Sequence, residues 1–118
     1  MINNNITVIK VRDVLMVTVP SDPDDPTIVA LQTNVLNNME LHIAKALILD
    51  ISAVEIFDSF FARTLTETAQ MVKLMGGRTI IAGMRPSVAV TATQLGLNLK
   101  QVETALNVDM ALDKVSYI

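Results

Sequence analysis

Apolar positions along the chain follow two rhythms, short β-compatible runs and longer stretches with spacings of three and four. Ile6, Val8 and Val11 sit among Thr7, Lys10 and Arg12 as one strand, and Val14–Val19 follows as a second. Arg12-Asp13 between them predicts a hairpin turn. Pro20-Ser21-Asp22-Pro23-Asp24-Asp25-Pro26 cannot lie inside a helix or a central strand, because proline lacks the backbone donor. Asp25 is the expected cap of the next helix, with Pro26 at its first position. From Thr27 to about Ala44, residues Ile28, Leu31, Val35, Met39 and Ile43 form one stripe expected to be buried.

Ala46-Leu47-Ile48-Leu49-Asp50-Ile51 is almost wholly apolar, which fits a strand covered on both faces. A second helix is expected from about Phe60 to Met75. Its inner stripe is Phe61, Leu65, Ala69, Val72 and Met75, and its outer face Arg63, Glu67, Gln70 and Lys73. Gly76-Gly77 ends it, since glycine takes the left-handed cap conformation at little cost. Arg78–Gly83 reads as a further buried strand, and Pro86 opens a third helix, Ser87 to about Leu95, closed by Gly96. Leu99–Leu106 is expected to hold a short strand, and Asn107 to cap a last helix, Val108 to about Val115. The order β-β-α-β-α-β-α-β-α predicts a single α/β domain over residues 1–118. Its sheet should be mixed and mostly parallel, with four or five strands and about four helices against it.

Composition narrows the chemistry. Half of the 118 residues are apolar (51%), enough for a folded core. The net charge is −3 and the nine Lys and Arg are scattered, so no basic cluster is available to neutralise a nucleic-acid backbone. The absence of cysteine excludes disulfides, thiolate metal sites and a cysteine nucleophile. The polar start, Met1 to Asn5, has no cationic segment followed by an apolar one, and no apolar run approaches the ~20 residues of a membrane span. No membrane association and a cytoplasmic location are therefore expected.

Asp58-Ser59 is the most informative pair. It lies between a buried strand and a helix, where either side chain can accept a hydrogen bond from a first-turn N–H. The same place suits a phosphate, because unpaired N–H groups and the positive end of the helix dipole converge there. Phe60, set nearer Arg63 and Glu67 than the inner stripe, is either a partly covered aromatic or an interface contact. Gly76-Gly77-Arg78-Thr79 lacks the phosphate-loop pattern and follows a helix instead of preceding one, so it reads as a helix stop. Arg85-Pro86-Ser87 reads as helix initiation, and Thr91 and Thr93 as helix surface. His42, the only histidine, is expected on the outer face of the first helix without a nucleophile beside it. Asp22, Asp24 and Asp25 lack calcium-loop spacing and read as a turn. Nothing assembles a nucleophile, a base and an oxyanion hole, so an enzyme is not expected.

The stretch Leu47–Ile51, then Phe57-Asp58-Ser59, then a helix, resembles the STAS family, which includes the anti-sigma factor antagonists. Asp58 and Ser59 match the Asp and first Ser of that family's Asp-Ser-Ser-Gly loop, while Phe60 and Phe61 replace its second Ser and Gly. A nearer resemblance is to the family's small single-domain stressosome scaffold members. It covers nearly the whole chain and is carried by Asp58-Ser59-Phe60, Lys73–Gly77, Gly83–Thr91, Gln94–Leu97 and Glu103–Leu106. The resemblance implies a scaffold with no cofactor and no metal, forming homo- and hetero-oligomers. Its implied partners are RsbR-like sensor proteins with a C-terminal STAS domain, an RsbT-like switch kinase released on phosphorylation, and an RsbX-like phosphatase. By the same resemblance Ser59 is the phosphoacceptor, Thr91 a second candidate, and Asp58, Ser59, Phe60, Arg63, Arg85 and Ser87 the partner-binding residues. The alternatives are a soluble anti-sigma factor antagonist acting as a monomer or dimer, a small-ligand binder or enzyme, and a purely structural subunit whose Ser59 is only a cap.

Overall fold

The computed structural model describes residues 6–97, 100 and 102–116. β1 (Thr7–Val11) and β2 (Val14–Thr18) form an antiparallel hairpin. They are followed by α1 (Asp25–His42), β3 (Ala46–Asp50), α2 (Ser59–Leu74), β4 (Arg78–Ala82), α3 (Pro86–Gln94), β5 (Glu103–Ala105) and α4 (Val108–Ser116). The sheet order is β1-β2-β3-β4-β5, and every pair after the hairpin is parallel. The expected mixed, mostly parallel sheet with four helices is what forms. Of the expected Leu99–Leu106 strand only Glu103–Ala105 is a strand; Leu99 and Gln101 lie outside the described residues.

Alternation along the central strands builds two cores. Leu15, Val17, Leu47, Leu49 and Ile81 face α1, α2 and α3, whose Ile28, Leu31, Phe61, Leu65, Val88 and Ala92 complete the larger one. Val14, Ala46, Ile48, Ile80 and Ala82 face the other way and pack against Ala111 and Val115 of α4. Because side chains of a strand point alternately to opposite faces, a run such as Ala46–Leu49 must be apolar throughout to feed both cores. At the β5 edge, Arg78 Nε and Nη2 donate to Glu103 at 2.7 and 2.6 Å. That hydrogen bonding holds the Glu103 carboxyl below its ordinary range.

Four details depart from the sequence reading. Asp24, not Asp25, caps α1: its Oδ1 accepts from Thr27 N at 2.9 Å, and Asp25 is already the first helical residue. This hydrogen bond lowers the Asp24 pKa. α1 stops at His42, so Ile43 leaves the buried stripe and is 86% exposed, in the left-handed conformation (φ 48°, ψ 49°). α2 likewise stops at Leu74, which leaves Met75 in the cap and exposed instead of on the inner stripe. His42, in the last turn of α1, is half-buried rather than on an outer face.

Candidate functional site

The parallel register of β3, β4 and β5 brings the starts of α2, α3 and α4 to one pole of the molecule. The β3–α2 loop begins with a local turn in which Asp50 Oδ1 accepts from Ser52 N at 3.0 Å. It then buries Val54 and Phe57 in the core, which anchors the chain just before α2. Phe57 and Phe61 stack with centroids 5.0 Å apart and planes tilted by 46°. This aromatic pair fixes where Asp58 and Ser59 stand, since they lie between its two members.

The geometry divides the labour within Asp58-Ser59. Asp58 is the cap: its backbone is extended and its Oδ1 accepts from Phe61 N at 2.9 Å. Ser59 is the first residue of α2, is exposed, and its hydroxyl has no hydrogen-bond partner among the described residues. A nucleophilic oxygen is thus presented at a helix N-terminus with no capping duty to hold it back. Asp58→Ala is expected to cost about 1 kcal/mol, the usual value of a lost cap. Urea denaturation reads this directly, and an unchanged midpoint would show that the cap contributes nothing.

Phe60 turns partly into the larger core and carries the Arg63 guanidinium over its ring, 5.6 Å from the centroid. Ser59, Ala62, Arg63, Thr66 and Gln70 form one wall of a groove of about 360 Å³, closed on the far side by Leu95, Gly96 and Leu97. The exposed serine, the half-covered aromatic and the cation therefore lie within the first turns of one helix.

Arg85 and Ser87 are exposed at the start of α3, on the same pole. Arg85 Nε donates to the Ser52 carbonyl at 2.9 Å and so ties the β4–α3 loop to the β3–α2 loop, a long-range link invisible in local spacing. Gly83 lets the two loops approach: its φ is +78°, and a Cβ there would meet Ser52 Cβ at 2.9 Å. Gly83→Ala is expected to destabilise the fold by about 1–3 kcal/mol through strain and collision. A thermal midpoint within 1 °C of the parent would refute that. Thr91 is half-buried and its hydroxyl donates to the Ser87 carbonyl one turn earlier at 3.1 Å, so it is less available than Ser59. Among the described residues, no group of three or more His, Cys, Asp or Glu could hold a metal ion, and no helix is long and apolar enough to cross a membrane.

The site is thus one pole of an α/β domain at which the exposed hydroxyls of Ser59 and Ser87 stand at helix starts. The chain belongs to the STAS domain family, whose model matches residues 5–111. Among solved structures it is similar to a serine-to-glutamate variant of RsbS from Moorella thermoacetica: 33% identical, covering 96% of both chains, TM-score 0.86. It is also similar to a chain of the stressosome, described there as a signal integration and transduction hub: 34% identical, covering 94% of this chain and 96% of that one, TM-score 0.83. Among curated proteins, RsbT co-antagonist protein RsbRA of Bacillus subtilis is 32% identical over 74 residues. That alignment takes in 63% of this chain and only 27% of the relative, so the chain spans about a quarter of that protein.

Proposed function

We propose that this STAS domain is a non-enzymatic scaffold subunit of a stressosome-type assembly, switched by phosphorylation of Ser59. The observation that carries the reading is the division of roles at the start of α2. Asp58 holds the cap hydrogen bond, which leaves the Ser59 hydroxyl exposed and unengaged. A phosphate placed there meets free first-turn N–H groups and the positive end of the helix dipole, so the fold tolerates it, while a bound partner meets roughly −1.5 to −2 added charges.

In this reading an RsbT-like kinase docks on the pole formed by Asp58, Ser59, Phe60, Arg63, Arg85 and Ser87, and leaves when Ser59 is phosphorylated. RsbR-like proteins supply sensor domains and co-assemble through their own STAS domains, and an RsbX-like phosphatase resets the scaffold. Likeness to RsbS and to the stressosome chain over nearly the full length supports the scaffold role, and likeness to an RsbT co-antagonist supports the kinase. The test is phosphate transfer from ATP by an RsbT-like kinase to the full chain, mapped by peptide mass. Phosphate on Ser59 is expected; incorporation confined to Thr91 or another site, or none at all, rejects the switch. Light scattering of the chain mixed with an RsbR-like partner tests the scaffold half. A megadalton-scale particle is expected, and a persistent monomer or dimer would favour a simple soluble antagonist.

A further inference from the structure

Arg63 is an exposed cation without a charged partner. Its guanidinium lies 5.6 Å from the centre of the Phe60 ring, and it makes no ion pair or hydrogen bond through its side chain among the described residues. Glu67 follows one turn later on α2, but base before acid is the less favourable order for a helical ion pair, and the two do not pair. Ser59 precedes Arg63 by the same interval. Once it carries a phosphate, the order becomes acid before base, the favourable one. Side chains four apart on a helix share a face, with Cβ atoms about 5–6 Å apart, well within the reach of an arginine. Ser59 and Arg63 also line the same groove, and Leu95, Gly96 and Leu97 across it bring no charge. Arg85, at the same pole, already donates through Nε to the Ser52 carbonyl.

We infer that Arg63 is the residue that binds the phosphate on Ser59, leaving the Phe60 ring to form a forked pair with the phosphate oxygens. The inference rests on the phosphorylation of Ser59 proposed above and names the side chain that responds to it. A guanidinium over an aromatic face is held weakly and keeps its N–H donors free. Phosphate oxygens match the planar fork of those donors, and hydrogen bonds between two ionised groups are the stronger kind. The first-turn N–H groups of α2 then hold the phosphate from the helix end and Arg63 holds it from the helix flank. This exchange alters the partner surface twice. An anion appears at Ser59, and the cation beside it is neutralised and drawn off the half-buried Phe60. A kinase that sets an acidic group against Arg63 loses that contact in the same step that it meets the phosphate.

The pair is tested on the full chain with Ser59 installed as phosphoserine during synthesis, so that no kinase is needed. Phosphorus NMR follows the second ionisation of the phosphate, ordinarily near pH ~6. The charged side chains nearest that phosphate on α2 and its cap are Asp58, Arg63 and Glu67. Arg63 favours the dianion, so the midpoint in the parent should lie at least ~0.5 pH below that in Arg63→Gln. Asp58, Glu67 and the helix dipole act equally in both and cancel from the comparison. Arg63→Lys keeps the charge without the fork, and its midpoint should fall between the two. A merely structural Arg63 would leave all three midpoints equal. Equal midpoints in the parent and Arg63→Gln, or a lower one in Arg63→Gln, overturn the inference. Phosphate transfer from ATP by an RsbT-like kinase, scored separately on the parent, distinguishes the two claims. Transfer to Ser59 with equal midpoints overturns the role of Arg63 and leaves the switch, whereas the expected shift without transfer rejects the switch and keeps the phosphate–Arg63 pair.

Discussion

Phe61→Ala is expected to remove about 3–5 kcal/mol of stability, the range for deleting a buried aromatic ring and leaving its cavity. Phe61 is 2% exposed and among the largest fully buried side chains of the domain. A domain of this size has roughly 6–18 kcal/mol in total, at ~0.05–0.15 kcal/mol per residue, so one ring carries a large share. Three features put the value at the upper end of the range. The ring packs on Phe57, it sits in the larger core between α2 and the sheet, and the backbone N–H of Phe61 donates to the Asp58 cap. Relaxation of the first turn of α2 would therefore cost packing and capping together. A fall in melting temperature of about 12–20 °C should accompany the change, and Phe61→Leu, which keeps most of the volume, should lose less than half as much. Urea unfolding at unchanged m-value measures the difference. A loss under 1 kcal/mol would show that the start of α2 is not anchored by this ring, and the account of how Ser59 is positioned would go with it.

The order and identity of the elements were legible because apolar runs and stripes report burial directly. Ala46–Leu49 must be apolar at every position to serve two cores, which is why a nearly all-apolar, β-compatible run reads as a strand covered on both faces. Helix ends were less legible. Asp24 and Asp25 both precede Pro26, and only the backbone decides which carboxylate reaches Thr27 N. Ile43 and Met75 continue the apolar spacing of their helices, so periodicity alone extends the stripes through them. The left-handed turn at Ile43 and the cap at Met75 break that continuation. At the site, sequence singled out Asp58-Ser59 but left either side chain free to cap, since both are good capping residues. The hydrogen bond to Phe61 N settles that choice. The Arg85 bond to the Ser52 carbonyl joins residues far apart in the chain, a contact that exists only once β3 and β4 are paired.

Ser59→Asp is expected to leave the fold intact or slightly firmer while weakening retention of an RsbT-like kinase at least ~10-fold, equivalent to about 1.4 kcal/mol. The two effects have opposite signs for one reason. Beyond the Asp58 cap the first turn of α2 contains no acidic residue, so a carboxylate at Ser59 gains at most about 0.3–1 kcal/mol from the helix dipole, offset in part by repulsion from Asp58. The same charge faces outward, since Ser59 is exposed, and a partner seated on this pole must accept it beside the Asp58 carboxylate. Asparagine is the control: Ser59→Asn has the shape of aspartate without the charge and should retain the kinase within about 3-fold of the parent if charge drives release. Ser59→Ala should hold the kinase even with ATP present, because no hydroxyl remains to receive the phosphate. Binding measured by surface plasmon resonance, alongside thermal melts of each variant, resolves the matter. Equal kinase affinity for the parent and Ser59→Asp would count against electrostatic release unless the phosphorylated parent lost affinity, because aspartate carries less charge and fewer acceptor oxygens than phosphate. Release by Ser59→Asn as complete as by Ser59→Asp would move the cause from charge to shape. A drop in melting temperature for Ser59→Asp would mean that weakened binding reflects a damaged helix start, and the dipole argument for tolerating phosphate at this position would fail.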